Sequence, residues 1–202
     1  MLLSGAAARK EAQPGLYQRL VATAAPKGVE DAIELDVRRT FPEHPRLTDE
    51  FVERMRRVLL AYAKRNPEVG YCQGMNFVAA SILLFIEAED DAFWLLTHMV
   101  EEVLPDHYVQ SMIGHTVDRQ VAEQLVELHL PALWNHLREL QLSMPFVTTH
   151  WFLCLFVTGA RVAAHTLALI TRLSLSLSPS LFSLLSDCLS VGARTRPRRA
   201  PR

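Results

Sequence analysis

The amino-acid sequence predicts an all-α protein. Its sizeable apolar segments as far as residue 157 repeat at three- and four-residue spacing or have the length of a buried helix. Start and stop signals separate these segments, as where Thr48 precedes two acidic residues and Pro67 follows. Strand-like alternation is confined to residues 173–178, where Leu and Ser alternate. We therefore expect a multi-helix domain over residues 1–157.

Composition is that of an ordinary globular protein, with 50% hydrophobic and 21% charged residues among 202. Three widely spaced cysteines, Cys72, Cys154 and Cys188, support neither a disulfide framework nor a zinc site. A reducing cytoplasmic location fits best. The eight histidines show no ligand spacing, and no phosphate-binding glycine loop is present. We do not expect the chain to bind a metal or a nucleotide by itself.

Residues 158–202 differ from the rest of the chain. They contain seven Arg and one Asp, a charge of +6, so the net charge of −1 leaves −7 for residues 1–157. This Leu/Ser-rich and basic tail is expected to be poorly ordered and to allow peripheral membrane contact. A membrane span over residues 162–191 is only weakly indicated, because Arg172, Pro179 and Asp187 interrupt it. No aromatic residues are interleaved with the arginines, so nucleic acid is not an expected partner.

The first polar cluster, residues 33–42, lies on a predicted amphipathic helix. Apolar residues at 29, 32, 33 and 37 form one stripe, and Asp36 falls on the same face. A carboxylate there is partly buried and needs a partner, which Arg39 can provide one turn later. A structural ion pair is the alternative interpretation of this pattern.

A second helix begins after Thr48, a predicted N-cap, with its apolar stripe directed inward. Arg54, Arg56 and Arg57 are predicted to form a solvated face, although one of them could meet an acidic partner surface.

The second polar cluster, residues 69–77, precedes an apolar run over residues 77–86 that is predicted to be the central helix. Gly70 and Gly74 flank Gln73, which allows close backbone approach or positive φ beside the polar residues. Gln73 could alternatively cap the helix that follows, although Gln is not a favoured capping residue.

Further helices are predicted after Glu89, with Trp94 in the core, and after Thr116, a plausible N-cap. Pro131 begins another helix, and residues 146–157 form the most apolar one.

At the two polar clusters, residues 33–42 and 69–77, the chain resembles the catalytic domain of the TBC family of Rab GTPase-activating proteins. The family motif I-x-x-D-x-x-R reads here as Ile33, Asp36 and Arg39, and its Y-x-Q motif as Tyr71 and Gln73. Both motifs are complete, in order and at near-family spacing. Residues 66–70, 92–94 and 150–153 also resemble the corresponding stretches of the family. The resemblance covers roughly residues 1–157, and the family's R-x-x-x-W start and later P-x-x-x-x-x-R-x-W-D segment are absent, so we expect a TBC domain that is incomplete at both ends.

The resemblance implies a GTPase activator that completes a partner's active site and is not a stand-alone hydrolase. Arg39 would contact the phosphates as an arginine finger and Gln73 would orient the attacking water. Asp36, with Ile33 on the same helix, would hold Arg39, and Tyr71 would support the glutamine loop. GTP and Mg²⁺ would belong to the partner, a GTP-bound Rab. The resemblance also implies a role in vesicle trafficking, in the cytoplasm or peripherally on endomembranes. The alternatives are a truncated, non-catalytic Rab-binding protein and a membrane-associated interaction protein.

Overall fold

The computed structural model describes residues 2–42 and 44–159, and within them every regular element is helical. The predictions made for residues 160–202, including the weak membrane span, lie outside the described residues. The α-helices are α1 Leu2–Ala12, α2 Leu16–Ala22, α3 Lys27–Val37, α4 Asp49–Arg65, α5 Met75–Phe85, α6 Glu89–His98, α7 Ile113–His129, α8 Pro131–Glu139 and α9 Met144–Leu153. A π-helical turn, Met99–Val103, continues α6, and a 3₁₀ turn, Val157–Gly159, follows α9. The prediction of an all-α fold is confirmed.

The main core lies where α4, α5 and α6 pack against one another, with α3 and α2 against α4 and α1 against α6. Helix α4 begins as expected, because the Thr48 hydroxyl accepts a hydrogen bond from the Phe51 amide at 3.3 Å. The predicted central helix is α5, which is buried along most of its length except at Phe85. Trp94 on α6 is fully buried in this core, as predicted.

The predicted solvated face of α4 is wrong. Arg57 donates two hydrogen bonds to the Glu89 carboxylate, at 2.9 and 2.6 Å, and Tyr17 donates a third at 2.5 Å. Arg56 pairs with Glu30 at 2.8 Å. The sequence placed these arginines correctly outside the apolar stripe, but neighbouring helices bring carboxylates to them.

The second half of the described chain is packed less completely. Helix α7 contacts α8 and α9, and a small apolar cluster forms around Phe152 and Phe156. Helix α7 begins at Ile113, after Met112 in a left-handed conformation, so the predicted N-cap at Thr116 is wrong. Large apolar side chains remain exposed along α7, α8 and the start of α9; they are Ile113, Val117, Leu128, Leu133, Leu140, Leu142 and Phe146.

Two hydrogen bonds attach the end of α9 to the loop between the π-helical turn and α7. Tyr108 donates to the Leu153 carbonyl at 2.8 Å, and His107 Nε2 lies 3.0 Å from the Phe152 carbonyl. Both carbonyls belong to the last turn of α9, where the regular helical hydrogen bonds end; the Phe152 carbonyl also accepts from the Leu155 amide at 3.2 Å. The loop therefore fixes this end of α9 beside the start of α5. No helix within residues 2–42 and 44–159 is both long enough and apolar enough to cross a membrane.

Candidate functional site

A buried carboxylate links the two sequence motifs. Helix α3 places Ile33 and Asp36 on its buried face and ends at Val37, so Arg39 lies just beyond the helix. Arg39 Nη2 lies 2.5 Å from one carboxylate oxygen of Asp36, and the Tyr71 hydroxyl donates to the other at 2.6 Å. The Arg39 side chain is 57% exposed. One carboxylate thus holds an exposed guanidinium and the tyrosine of the second motif.

The side chains next to the glutamine remain neutral. Burial and the hydrogen bond to Asp36 raise the pKa of Tyr71 well above its usual range. Burial, with a smaller contribution from the Asp36 charge, raises the pKa of the Cys72 thiol. Tyr71 is therefore a hydrogen-bond donor at physiological pH, and Cys72 lacks the thiolate character of a reactive cysteine.

The loop that carries Gln73 is shaped by Gly74. Gly74 has φ 108°, and a Cβ at this position would lie 2.8 Å from the Leu153 carbonyl oxygen on α9. Only glycine fits both requirements without a backbone shift. Gly74 occupies the N-cap position of α5, and Gln73 is exposed one residue before it. Gln73 is therefore not the cap of α5.

Gln73 lines a cleft with a volume of about 410 Å³ between the start of α5 and α9. The cleft combines apolar and polar groups, contributed by Gln73, Gly74, Pro145, Phe146, Thr149, His150 and Leu153. Phe146 is 82% exposed at its edge. Within the described part of the chain, Gln73 is therefore accessible from outside, beside an apolar side chain that the described residues leave largely uncovered.

Two further residues of this site, Thr40 and Asn76, were not predicted from the sequence. Asn76 donates from Nδ2 to the Thr40 hydroxyl at 2.8 Å and accepts from the Gly74 amide at 3.0 Å. Both side chains are buried. The available signal was a polar Asn at the beginning of an otherwise apolar helix, since such a group requires hydrogen-bond partners.

Among the described residues, no group of three or more His, Cys, Asp or Glu side chains is arranged to hold a metal ion. The described polar groups of the site include Arg39 with its partner Asp36, and Gln73 with Thr149 and His150 in the cleft.

The fold is that of Rab GTPase-activating domains. It matches the Chlamydomonas flagellar RabGAP TBC domain with a TM-score of 0.65 and 30% identity, over 77% of this chain and 52% of that one. The Ypt/Rab-GAP domain of Gyp1p has the same fold, with a TM-score of 0.63 and 20% identity over 74% of this chain and 56% of that domain. The chain belongs to the Rab-GTPase-TBC domain family, whose profile matches residues 2–170 and thus extends past residue 157.

Named relatives agree with this assignment. The chain is 40% identical over 161 residues to growth hormone-regulated TBC protein 1 of Homo sapiens, covering 78% of this chain and 48% of that protein. It is also 40% identical over 155 residues to TBC1 domain family member 2B of Xenopus tropicalis, covering 74% of this chain and 16% of the relative. The chain thus spans about half the length of the growth hormone-regulated TBC proteins and a smaller part of the larger relative.

Proposed function

We propose that this domain accelerates GTP hydrolysis by a Rab-family GTPase, to which it supplies Arg39 and Gln73. The main support for this proposal is that the Asp36 carboxylate contacts both Arg39 and Tyr71. Because Tyr71 lies two residues before Gln73, this contact joins the segment that carries the exposed arginine to the loop that carries the exposed glutamine. Family membership provides the class of partner.

Each side chain has a separate task in this proposal. Negative charge develops on the transferred phosphoryl group, and the Arg39 guanidinium offsets it. The Gln73 amide both donates and accepts hydrogen bonds, so it can orient the attacking water. Asp36 limits the rotamers of Arg39, which reduces the entropy lost when the GTPase docks. GTP and Mg²⁺ enter with the GTP-bound partner, and the domain contributes no cofactor.

The location follows from the partner. A Rab activator acts in vesicle trafficking, in the cytoplasm or peripherally on endomembranes. The basic segment that would contribute membrane contact belongs to the tail, most of which lies outside the described residues.

The test is a single-turnover GTP-hydrolysis screen of the 202-residue chain against a panel of purified Rab GTPases. An arginine supplied in trans is worth about 10³–10⁵ in rate in another GTPase family, so Arg39→Ala should remove most of any acceleration. Arg38→Ala is the matched control, because Arg38 is the adjacent exposed arginine and pairs with Glu34.

Gln73→Ala should also lower the rate of hydrolysis, because the attacking water loses its orienting amide. Gln124→Ala is its control, an exposed glutamine on α7. Acceleration that survives both Arg39→Ala and Gln73→Ala would refute the two-residue mechanism.

A second candidate function is Rab binding without turnover. It is favoured by the exposed apolar side chains of α7, α8 and α9, since Phe146 of this set borders the cleft beside Gln73. If packing around α9 is too weak to hold the cleft, a GTPase can dock without being activated. Binding of GTP-loaded Rab with no change in hydrolysis rate would support this alternative, and fusion of a complete TBC C-terminal half after Val157 should then restore turnover.

A further inference from the structure

A buried hydrogen-bonded bridge connects the segment that carries Arg39 to the loop that carries Gln73. Thr40 directly follows Arg39, and Asn76 lies three residues after Gln73. Asn76 Nδ2 donates to Thr40 Oγ1 at 2.8 Å, and Asn76 Oδ1 accepts from the Gly74 amide at 3.0 Å. Building on the function proposed above, we propose that Thr40 and Asn76 are positioning residues that hold Arg39 and Gln73 in register with each other.

The bridge permits only one arrangement of its donors and acceptors. The Thr40 hydroxyl donates its single proton to the Asp36 carbonyl at 2.7 Å, so its oxygen accepts from the Asn76 amide. The remaining polar atom of Asn76, Oδ1, accepts the hydrogen bond from the Gly74 amide. Thr40 is 2% exposed and Asn76 is 0% exposed, so water cannot replace either partner. The bridge therefore defines a single relation between the two segments.

Contacts on either side of the bridge supply packing. The Tyr71 hydroxyl contacts the Asp36 carboxylate, and the rings of Phe41 and Phe77 meet edge to face with centroids 5.1 Å apart. Phe41 has φ 44°, an uncommon conformation for an aromatic residue, which indicates that its surroundings impose the path of this segment. Thr40→Val keeps the shape and these contacts while removing the bridge.

The experiment compares three variants of the full chain. Thr40→Val removes the hydroxyl, and Thr40→Ser restores it. Thr148→Val is the matched control, because Thr148 is also 2% exposed and its hydroxyl also donates to the carbonyl four residues earlier, that of Met144, at 2.9 Å. We measure kcat and KM for GTP hydrolysis with the Rab that the wild-type chain accelerates most, together with thermal unfolding and amide hydrogen exchange of residues 71–76.

Thr40→Val should lower kcat by about 10- to 100-fold, because small displacements of reacting groups have effects of this size. KM should change by less than about twofold, since little binding surface is altered. The Gly74 amide should exchange faster, because Asn76 without its Thr40 partner can rotate away from it. Thr40→Ser should retain both hydrogen bonds and most of the activity. Thr148→Val should leave kcat and the exchange of the Gly74 amide near the wild-type values. It should also lower the melting temperature less than Thr40→Val does, because Thr40→Val leaves the buried Asn76 amide without an acceptor.

Two results would overturn the proposal. One is a Thr40→Val variant whose kcat and Gly74 exchange equal those of Thr148→Val. The other is a loss confined to KM. If the wild-type chain accelerates no Rab, the proposed function fails, and the exchange comparison alone then decides whether the bridge connects the two segments.

Discussion

Replacing Asp36 by Asn removes a negative charge from the centre of the site while keeping the size of the side chain. The carboxylate accepts from Arg39 at 2.5 Å and from Tyr71 at 2.6 Å through different oxygens. An Asn side chain has only one oxygen, so it can accept from only one of these two donors in this arrangement. Its NH₂ group then faces the other donor. Because Tyr71 is the more buried donor, we expect the Asn oxygen to remain with it and Arg39 to be released.

The cost in stability follows from the same contacts. Hydrogen bonds to charged groups contribute about 1.5–3 kcal/mol and neutral ones about 0.5–1.5 kcal/mol, so the Tyr71 bond loses roughly 1 kcal/mol. The Arg39 side chain is 57% exposed. Its pair with Asp36 therefore contributes no more than about 1 kcal/mol, as exposed ion pairs do. The Asn side chain is also less costly to bury than a carboxylate. We expect a net loss of about 1 kcal/mol, or about 2–4 °C in melting temperature for a domain of this size.

The effect on hydrolysis should be larger than this loss of stability. A released Arg39 samples many rotamers, and we expect kcat with a responsive Rab to fall by about 10- to 100-fold with little change in KM. Glu34→Gln is the matched control, since Glu34 is the carboxylate on the same helix that pairs with exposed Arg38 at 2.6 Å. Equal kcat values for Asp36→Asn and Glu34→Gln, measured well below both melting temperatures, would refute the role given to Asp36.

Three further outcomes are expected. Arg39→Lys should lower the rate of Rab GTP hydrolysis nearly as much as Arg39→Ala, because a planar guanidinium can contact two phosphate oxygens and an ammonium cannot; a lysine variant with most of the wild-type rate would contradict this. Burial opposes ionisation of Glu89, but hydrogen bonds from its arginine and tyrosine partners lower the pKa of this carboxyl overall. Its contribution to stability is therefore complete above about pH 4.3 and is lost as pH falls through the lowered pKa. Thermal unfolding of Glu89→Gln should depend less on pH in this acidic range than unfolding of the wild type. Gly74→Ala should destabilise the fold by about 1–3 kcal/mol, because the added Cβ meets the Leu153 carbonyl and φ is positive at this position. The control is Gly28→Ala, in helix α3 with open space around it, which should be neutral or stabilising by up to about 1 kcal/mol. Equal unfolding midpoints for the two variants would be inconsistent with the close approach at Gly74.

The local pattern of residues was sufficient to predict most helices and the burial of Asp36. The stripe of residues 29, 32, 33 and 37 identified the inward face of α3, and the Thr48 cap was recognisable from the two acids that follow it. Trp94 was correctly placed in the core. These predictions succeeded because helix periodicity and capping depend on residues within a few positions of one another.

Prediction was poorer where distant elements decide the environment. Arg57 has the pattern of a solvated residue, yet α6 brings Glu89 against it from 32 positions away. Thr116 has the character of a helix cap, but α7 begins earlier, at Ile113. The spacing of Leu128, Leu133 and Leu140 does not reveal that these side chains are exposed, because their exposure depends on which helices pack together.

The sequence by itself determined that the chain is helical, which two motifs it carries and which family they resemble. Only the tertiary structure decided that one carboxylate serves both motifs, that Thr40 and Asn76 bridge them, and that α9 supplies the carbonyl that requires glycine at position 74. Asp36 and Tyr71 are 35 positions apart, and so little in their own neighbourhoods indicates the contact. Such contacts form because packing of α3, α4 and α5 brings buried polar groups together, where each must find a partner that no local pattern specifies.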